Sequence, residues 1–154
     1  MGTSVEIRKY KPRYLKDCTR LFVNAFSREP WNDNWTFPRV KKLLRDITNM
    51  PGFKGLVIRV DKEIIGACLG RITCITDEDV YHVEYMFVDP RCQRKGYGQR
   101  LLSQVKDVLV QSGVRKIGLT TFIDTPAESF YKQAGFRTSG RVVNMYTEVE
   151  NLHP

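Results

Sequence analysis

A chain of 154 residues has the length of one ordinary domain, and a hydrophobic content of 42 % is enough to fill a core of its own. No segment approaches the ~20 uninterrupted apolar residues of a membrane span, and the N-terminus has no apolar run of signal-peptide length. We therefore expect a single soluble, cytoplasmic domain over residues 1–154. The formal net charge of +8 suits nucleic acid, a membrane surface or a phosphate-bearing cofactor, and it does not choose among them.

The cysteines are scattered along the chain without any CxxC spacing. This spacing predicts neither a zinc ribbon nor a redox pair. We expect no metal site and four free thiols, at Cys18, Cys68, Cys74 and Cys92.

The first half of the chain predicts a strand, two helices and a hairpin. Apolar and polar residues alternate over 5–10, as in a strand, and apolar residues recur at spacings of three and four over 15–26 and 40–47, as on one face of a helix. The segment between those helices is aromatic and rich in turn-forming residues. Two further strands, 55–60 and 64–72, are joined by a short polar connection and should pair antiparallel.

The second half predicts alternating strands and helices. A β-branched and aromatic run at 80–88 predicts a central strand, and a long amphipathic helix follows it from Gly96 to Gly113. A fifth strand at 116–122, a helix from Pro126 to Gly135 and a strand at 142–149 complete the order. The fold class is α/β, with about four helices and a mixed sheet of six to seven strands.

The turn between the central strand and the long helix contains the glycine pair Gly96 and Gly98. Glycines let a ligand approach the backbone, and the first N–H groups of a helix have no intrahelical acceptor, so this geometry favours an anion such as pyrophosphate. Many ordinary turns contain such a pair, and the spacing fits neither a Walker A loop nor a dinucleotide fold. Basic side chains that could contact further phosphate oxygens are Arg91, Arg94, Lys95 and Arg100.

With the turn Gln93-Arg94-Lys95-Gly96-Tyr97-Gly98, the chain resembles the GNAT superfamily of N-acetyltransferases, whose signature is Gln/Arg-x-x-Gly-x-Gly/Ala. The segment 130–136, with sequence Phe-Tyr-Lys-Gln-Ala-Gly-Phe, is similar to a second family motif. The resemblance implies a mostly antiparallel sheet whose fourth and fifth strands splay apart around acetyl-CoA. Many relatives carry Asn where this chain has Asp124, which departs from the family pattern. The implied cofactor-binding residues are Phe87, Val88, Gln93, Arg94, Lys95, Gly96, Tyr97, Gly98 and Asp124.

The implied reaction is direct transfer of an acetyl group to a primary amine in a ternary complex. It requires a base for the ammonium proton and a proton donor for the leaving thiolate. Glu84 interrupts an apolar strand and is the first candidate base, with His82 two residues earlier as the second. Alternatively, Glu84 pairs with a surface arginine and His82 is simply half-exposed. Tyr131 matches the residue that donates the proton in many family members, and it could instead be a core aromatic.

The aromatic segment between the first two helices is expected to form one wall of the acceptor site. Its rings could equally close the core beneath a loop. The segment is similar to that of some aminoglycoside 6'-N-acetyltransferases, which favours a small amine or an amino sugar as acceptor. Candidate wall residues are Phe26, Trp31, Trp35 and Phe37, and candidate acidic residues that attract a cationic amine are Glu29, Asp33 and Asp79.

Two rival functions remain open at this stage. One is a catalytically silent sensor that binds acyl-CoA, against which Glu84 and Tyr131 argue. The other is a basic nucleic-acid-binding module, although the chain has no RRM, KH, zinc-finger or helix-turn-helix signature. We expect neither nucleic acid nor membrane as a partner, while the C-terminal strands are candidates for pairing two copies of the chain.

Overall fold

Five strands and four α-helices make up the part of the chain that the computed structural model describes, residues 2–153. The strands are β1 (Val5–Lys9), β2 (Phe53–Val60), β3 (Glu63–Ile75), β4 (Glu78–Val88) and β5 (Lys116–Gly118). The helices are α1 (Leu15–Phe26), α2 (Phe37–Thr48), α3 (Tyr97–Gln111) and α4 (Pro126–Gln133). Short 3-10 turns lie at Pro12–Tyr14, Pro90–Cys92 and Val149–Asn151.

The chain is divided into two compact units, one that ends at Thr120 and one that starts at Thr121. The first unit contains the whole sheet and α1 to α3. The second contains α4 and the C-terminal segment.

The sheet has the strand order β1-β2-β3-β4-β5. The first four strands are antiparallel, and β5 is parallel to β4. In the described part of the chain, the β4–β5 pairing covers only Val80–His82 on β4, and β4 continues unpaired on that side to Val88. The prediction of a mixed, mostly antiparallel sheet with its fourth and fifth strands splayed is therefore confirmed.

Helices cover both faces of the sheet. On one face Phe22 of α1 and Leu44 of α2 are fully buried against strand residues such as Val57. On the other face Leu101 of α3 is fully buried with Ile58. Adjacent residues of β2 thus enter different cores, which explains why its sequence is almost continuously apolar rather than alternating.

The predicted number of strands, six to seven, is wrong for the described residues. The segment 142–149 forms no strand there, and the fifth strand ends at Gly118 instead of continuing to 122. Side chains of the segment are exposed, among them Val143 at 77 % and Tyr146 at 94 %. Strand propensity describes how well a residue fits a paired, half-buried surface, and these residues have no partner strand within the described chain.

A register shift in the β3–β4 ladder sets the direction of the β4 side chains. Leu69 pairs with Tyr85, whereas the next residue, Gly70, pairs with Val83, so that Glu84 is an extra residue on β4. Such a bulge turns the side chains of one strand relative to its partner and is frequent beside active sites.

Opposite this bulge, at position 70, only glycine fits without displacing its neighbours. A Cβ at this position would lie 2.4 Å from the carbonyl oxygen of His82 and 2.6 Å from Cζ of Tyr81. The Tyr81 ring is held there because its hydroxyl donates a hydrogen bond to the carbonyl of Lys54 at 2.8 Å. The backbone and ring therefore approach Gly70 more closely than any side chain allows.

We expect Gly70→Ala to lower the free energy of unfolding by about 1–3 kcal/mol, because the added methyl group must displace the β4 backbone or the Tyr81 ring. Gly118→Ala is the matched control, since the nearest atom to its added Cβ is 4.0 Å away. The control should change stability by less than about 0.5 kcal/mol. Urea unfolding followed by circular dichroism measures both, and equal losses would contradict a close approach at Gly70.

Candidate active site

The turn after β4 is organised by Asp89, whose side chain is 4 % exposed. Its carboxylate accepts hydrogen bonds from the backbone N–H of Arg91 at 2.9 Å and from Nη2 of the same arginine at 2.7 Å. The side-chain hydrogen bond from Arg91 lowers the pKa of Asp89. Arg91 also lies 3.5 Å from Glu63. Arg91, expected beside the phosphates, is thus committed to two carboxylates, and in this structure it stabilises the turn.

The start of α3 has the features of an anion site. Arg94 and Gly96 both have left-handed backbones, with φ values of 61° and 81°. Within residues 2–153, the backbone N–H groups from Arg94 to Gln99 have no hydrogen-bond acceptor, and the first helical turn carries no acidic residue. Gly96 has open space around the position of a Cβ. These N–H groups and the positive end of the helix dipole can therefore bind an anion.

Three of the four basic side chains predicted near this turn have no ion pair among the described residues. Arg94, Lys95 and Arg100 are exposed, whereas Arg91 is paired as described. Their charges face solvent beside the unpaired N–H groups. They could contact additional oxygens of a phosphorylated ligand.

The unpaired edge of β4 leads directly into this turn. Beyond His82 the strand has no partner on its β5 side within the described residues. The side chain of Phe87 is buried in the core, and the carbonyl of Val88 accepts a hydrogen bond from Nε2 of Gln93 at 3.1 Å. An extended ligand can therefore approach the backbone along this edge.

Glu84 lies in the bulge with its side chain 25 % exposed, and Oε1 is 3.3 Å from Nε of Arg71. The ion pair that the sequence left as an alternative is thus present. Antiparallel register places His82 directly opposite Arg71, so His82 is near this pair, and it is half-buried without an ion pair in the described chain.

Tyr85 connects this carboxylate to the aromatic segment. Its ring centroid is 4.9 Å from that of Phe22 and 6.1 Å from that of Phe26. Burial raises the pKa of Tyr85, and the negative charges of Glu84 and Asp33 raise it further. Two carboxylates therefore act on one tyrosine hydroxyl. The sequence reasoning missed Tyr85 because it treated the residue as ordinary strand composition.

The predicted aromatic wall is assembled on this side of the sheet. Trp35 packs edge-on against Phe22 at 5.3 Å, and Trp31 packs against Phe26 at 5.7 Å between ring centroids. The indole N–H of Trp35 donates a hydrogen bond to Asp33 at 3.3 Å. Both tryptophans remain half-buried rather than enclosed. The rings thus close the core and also present a partly exposed aromatic surface.

Other predicted acceptor residues are not brought into this cluster by any contact within residues 2–153. Glu29 is exposed and has no ion pair there. Phe37 begins α2 and is 36 % exposed. Asp79 lies near the start of β4, opposite Cys74 and several residues before the bulge.

The second unit contains the predicted residues Asp124 and Tyr131. Asp124 has a left-handed backbone with φ 58°, and its N–H donates a hydrogen bond to Oε1 of Glu128 at 3.2 Å. The hydroxyl of Thr125 caps α4 by accepting from the N–H of Glu128. Tyr131 packs edge-on against Phe136, with ring centroids 5.4 Å apart. The α4 motif is thus ordered around Tyr131 by local aromatic contacts.

The four cysteines are free in this structure, and Cys18 and Cys68 are buried. Burial raises the pKa of both thiols to about 12, so neither forms a thiolate readily. No group of three or more His, Cys, Asp or Glu residues in the described part of the chain could hold a metal ion. None of the described helices is long and apolar enough to span a membrane.

A family model described as the acetyltransferase (GNAT) family matches residues 16–136. The chain therefore belongs to the acetyltransferase (GNAT) family. Its class is that of the acetyl-CoA-dependent N-acetyltransferases, and acetyl-CoA is the co-substrate that the family implies. No curated protein sequence matches the chain.

Several solved structures share the fold at low sequence identity. The aminoglycoside N-acetyltransferase AAC(6')-Iy in complex with CoA is 18 % identical with a TM-score of 0.76, and 97 % of each chain is covered. The aminoglycoside acetyltransferase meta-AAC0020 from an uncultured soil metagenomic sample, in complex with sisomicin, is also 18 % identical with a TM-score of 0.76, covering 94 % of this chain and 96 % of the other. A possible acetyltransferase from Clostridium difficile 630 is 17 % identical with a TM-score of 0.77, covering 97 % and 99 %.

Removing the Asp89 carboxylate should destabilise the turn at neutral pH. We expect Asp89→Asn to lower the free energy of unfolding at pH 7 by about 1–3 kcal/mol, because Arg91 loses its charged acceptor. The folded pKa lies below the ordinary value of 3.8, so the carboxylate stabilises the fold above about pH 4 and the contribution disappears as pH falls through the lowered pKa. Urea unfolding at pH values from 7 to 3 measures this difference, which should shrink at the acidic end.

The exposed Asp107 provides the control. Asp107→Asn should change stability little at any of these pH values. A loss for Asp89→Asn that does not shrink at acidic pH would show that the ionised carboxylate is not what stabilises the turn.

Proposed function

We propose that the chain transfers the acetyl group of acetyl-CoA to a primary amine by direct attack in a ternary complex, with a small amine or an amino sugar as acceptor. Family membership supports the donor and the reaction class. The acceptor proposal is carried by one observation, a partly exposed aromatic wall in which Trp35 bonds to Asp33 and packs through Phe22 against Tyr85, the neighbour of Glu84. Carboxylates and aromatic faces together attract a cationic amine.

The donor is proposed to bind at the turn before α3. The unpaired N–H groups from Arg94 to Gln99 would hold the pyrophosphate, with Arg94, Lys95 and Arg100 contributing charge. The backbone of Phe87 and Val88, on the open edge of β4, would bind the pantetheine arm. Asp124 remains a proposed cofactor contact on the family resemblance alone.

The proposed reaction begins when a base removes a proton from the ammonium form of the acceptor. Glu84 accepts this proton directly or through water, and His82 is the second candidate. The amine lone pair then attacks the thioester carbonyl carbon, the C–N bond forms and the C–S bond breaks. The resemblance assigns the proton for the departing thiolate to Tyr131.

The proposed acceptor-binding residues are Glu29, Trp31, Asp33 and Trp35. The neighbours that are aminoglycoside acetyltransferases, one of them in complex with sisomicin, support an amino sugar as acceptor. We propose that residues 1–154 act as one catalytic domain. The family match supports this because it extends across the division between the two compact units.

Replacing the proposed base should slow the chemical step. We expect Glu84→Gln to lower kcat/KM by about 10²–10⁴-fold, the usual contribution of a general base. The measurement is release of CoA thiol with a panel of polyamines and aminoglycosides, while calorimetry should show unchanged acetyl-CoA affinity. Tyr131→Phe should also lower kcat with acetyl-CoA affinity unchanged.

Glu78→Gln is the matched control, because Glu78 is another β4 carboxylate paired with a cation, Lys116, at 2.9 Å. It should retain wild-type turnover. Undiminished turnover in Glu84→Gln would remove Glu84 from the base role. Binding of acetyl-CoA by the wild type without thiol release from any amine would instead indicate a silent sensor.

We also propose that the segment 142–149 pairs two copies of the chain. Its β-branched and aromatic side chains are exposed, including Val142 at 76 % and Met145 at 87 %. Exposed apolar residues in a strand-forming sequence favour pairing with another strand. The segment of a second copy supplies such a strand.

Sedimentation at micromolar concentration should give about twice the 17.9 kDa chain mass for the wild type. Met145→Pro should be monomeric, because proline removes a backbone donor and resists strand pairing, whereas Met145→Ala should remain dimeric. A monomeric wild type, or a dimer that survives Met145→Pro, would contradict pairing through this segment.

A further inference from the structure

An excess of positive charge surrounds the free edge of the sheet at β1, three strands away from β4. Glu6 on β1 pairs in register with Arg59 on β2, and Arg8 lies two residues further on the same face. The Nε of Arg8 is 2.9 Å from Oε2 of Glu6, and Nη1 of Arg59 is 3.8 Å from the same oxygen. Two guanidinium groups thus share one carboxylate oxygen.

A third guanidinium comes from the 3-10 turn that precedes α1. Nη2 of Arg13 donates to the hydroxyl of Tyr14 at 3.1 Å, and its guanidinium carbon lies 5.0 Å from the centre of the Tyr14 ring. The hydrogen bond from Arg13 lowers the pKa of Tyr14, and the charges of Arg59 and Arg8 lower it further. The three arginines therefore act on a single phenolic oxygen.

The charge of this group is not balanced by its own carboxylate. The pKa of Glu6 is lowered first by its hydrogen bond to Arg8, and also by the charges of Arg59 and Lys62. Arg8 and Arg59 thus contact Glu6, and Arg13 contacts Tyr14. No further acidic side chain of the described chain forms an ion pair with Arg8, Arg13 or Arg59.

The guanidinium of Arg59 is only partly satisfied within the described chain. Its Nε is buried and has no hydrogen-bond partner within residues 2–153, while the side chain as a whole is 17 % exposed. A buried donor without a partner costs free energy, and in native proteins it commonly indicates a bound ion or water. An anion bound to the exposed part of this guanidinium would offset the repulsion between Arg59 and the neighbouring cations.

We propose that Arg8, Arg13 and Arg59 form a binding site for a small phosphomonoester, separate from the donor turn before α3. The planar guanidinium group matches phosphate oxygens in pairs, and several such groups favour a dianion over a single carboxylate. The site lies on β1, β2 and the turn before α1, at the opposite edge of the sheet from β5. It does not depend on the acyl-transfer proposal, since it shares no residue with the donor turn.

Calorimetric titration of the full chain with inorganic phosphate, against sodium chloride at matched ionic strength, tests the site. We expect saturable phosphate binding by the wild type. In both Arg59→Gln and Arg13→Gln the affinity for phosphate should be lower by about tenfold or more, the loss expected for one charge-assisted hydrogen bond. Arg20→Gln is the control because Arg20 is an exposed arginine of α1 whose ion pair among the described residues is with Asp17, at 3.5 Å. It should bind phosphate like the wild type.

Circular dichroism in chloride establishes that the variants are folded. Arg13 is exposed, so its substitution keeps the test decisive even where Arg59→Gln fails to fold. Absence of phosphate-specific binding, or wild-type affinity in Arg13→Gln, overturns the proposal. Binding that is lost in Lys95→Gln instead assigns the phosphate to the donor turn and also overturns it.

Three further probes distinguish the source of the phosphate group. Glycerol phosphate should bind at least as well as inorganic phosphate and compete with it. Phosphatidylcholine vesicles containing phosphatidic acid, and a short RNA, should bind equally to wild type and Arg13→Gln. Suppose instead that vesicles or RNA bind in a way that depends on Arg13 while glycerol phosphate does not bind. The ligand would then be a membrane or a nucleic acid, and the proposal of a small phosphomonoester would be wrong.

Discussion

The close approach of β4 to Gly70 is the constraint on which the candidate site depends. The carbonyl of His82 and the ring of Tyr81 occupy the space that a side chain at Gly70 would require. This contact accompanies the register shift that leaves Glu84 as an extra residue on β4. Before the bulge Tyr81 and Val83 face the core that α3 covers, and after it Tyr85 and Phe87 face the core that α1 and α2 cover. At this change of face Glu84 pairs with Arg71 and lies next to Tyr85.

A second constraint is the short pairing between β4 and β5. Three residues of β4 have a partner on β5, and from there to Val88 that edge has no partner strand within residues 2–153. An unpaired edge is costly inside a protein but useful where a ligand supplies the missing groups. The same strand ends at Asp89, which holds the following turn through Arg91. One strand thus contributes a carboxylate, an open edge and an anion-binding turn in succession.

Local sequence patterns were sufficient to predict the helices and the glycine turn. The spacing of apolar residues over α1 and α3 follows from which face is buried, and this is a property of neighbouring residues. The six to seven predicted strands were wrong because a strand needs a partner, and the composition of 142–149 contains no information about whether one is present. The aromatic wall could be predicted from its composition, whereas its contact with Tyr85 depends on the fold.

Charged pairs were the least predictable part of the site. Arg91 was expected to face phosphate because of its position in the sequence, yet Asp89 and Glu63 hold it. The partner of Glu84 is Arg71, thirteen residues earlier and brought close only by the antiparallel register. Such pairs are set by sheet geometry rather than by spacing in the chain. A single sequence therefore identifies the type of charged residue required but not its partner.

The distribution of charge over the first unit is consistent with a two-substrate reaction. Basic side chains and unpaired N–H groups gather at the start of α3, whereas Glu84 and Asp33 lie beside the aromatic wall. An anionic donor and a cationic acceptor would therefore be attracted to different parts of the same unit. Arg71 restrains the Glu84 side chain, which is still partly exposed. Although the net charge is +8, the carboxylates of Glu84 and Asp33 near the aromatic wall favour an amine over a polyanion as the acceptor.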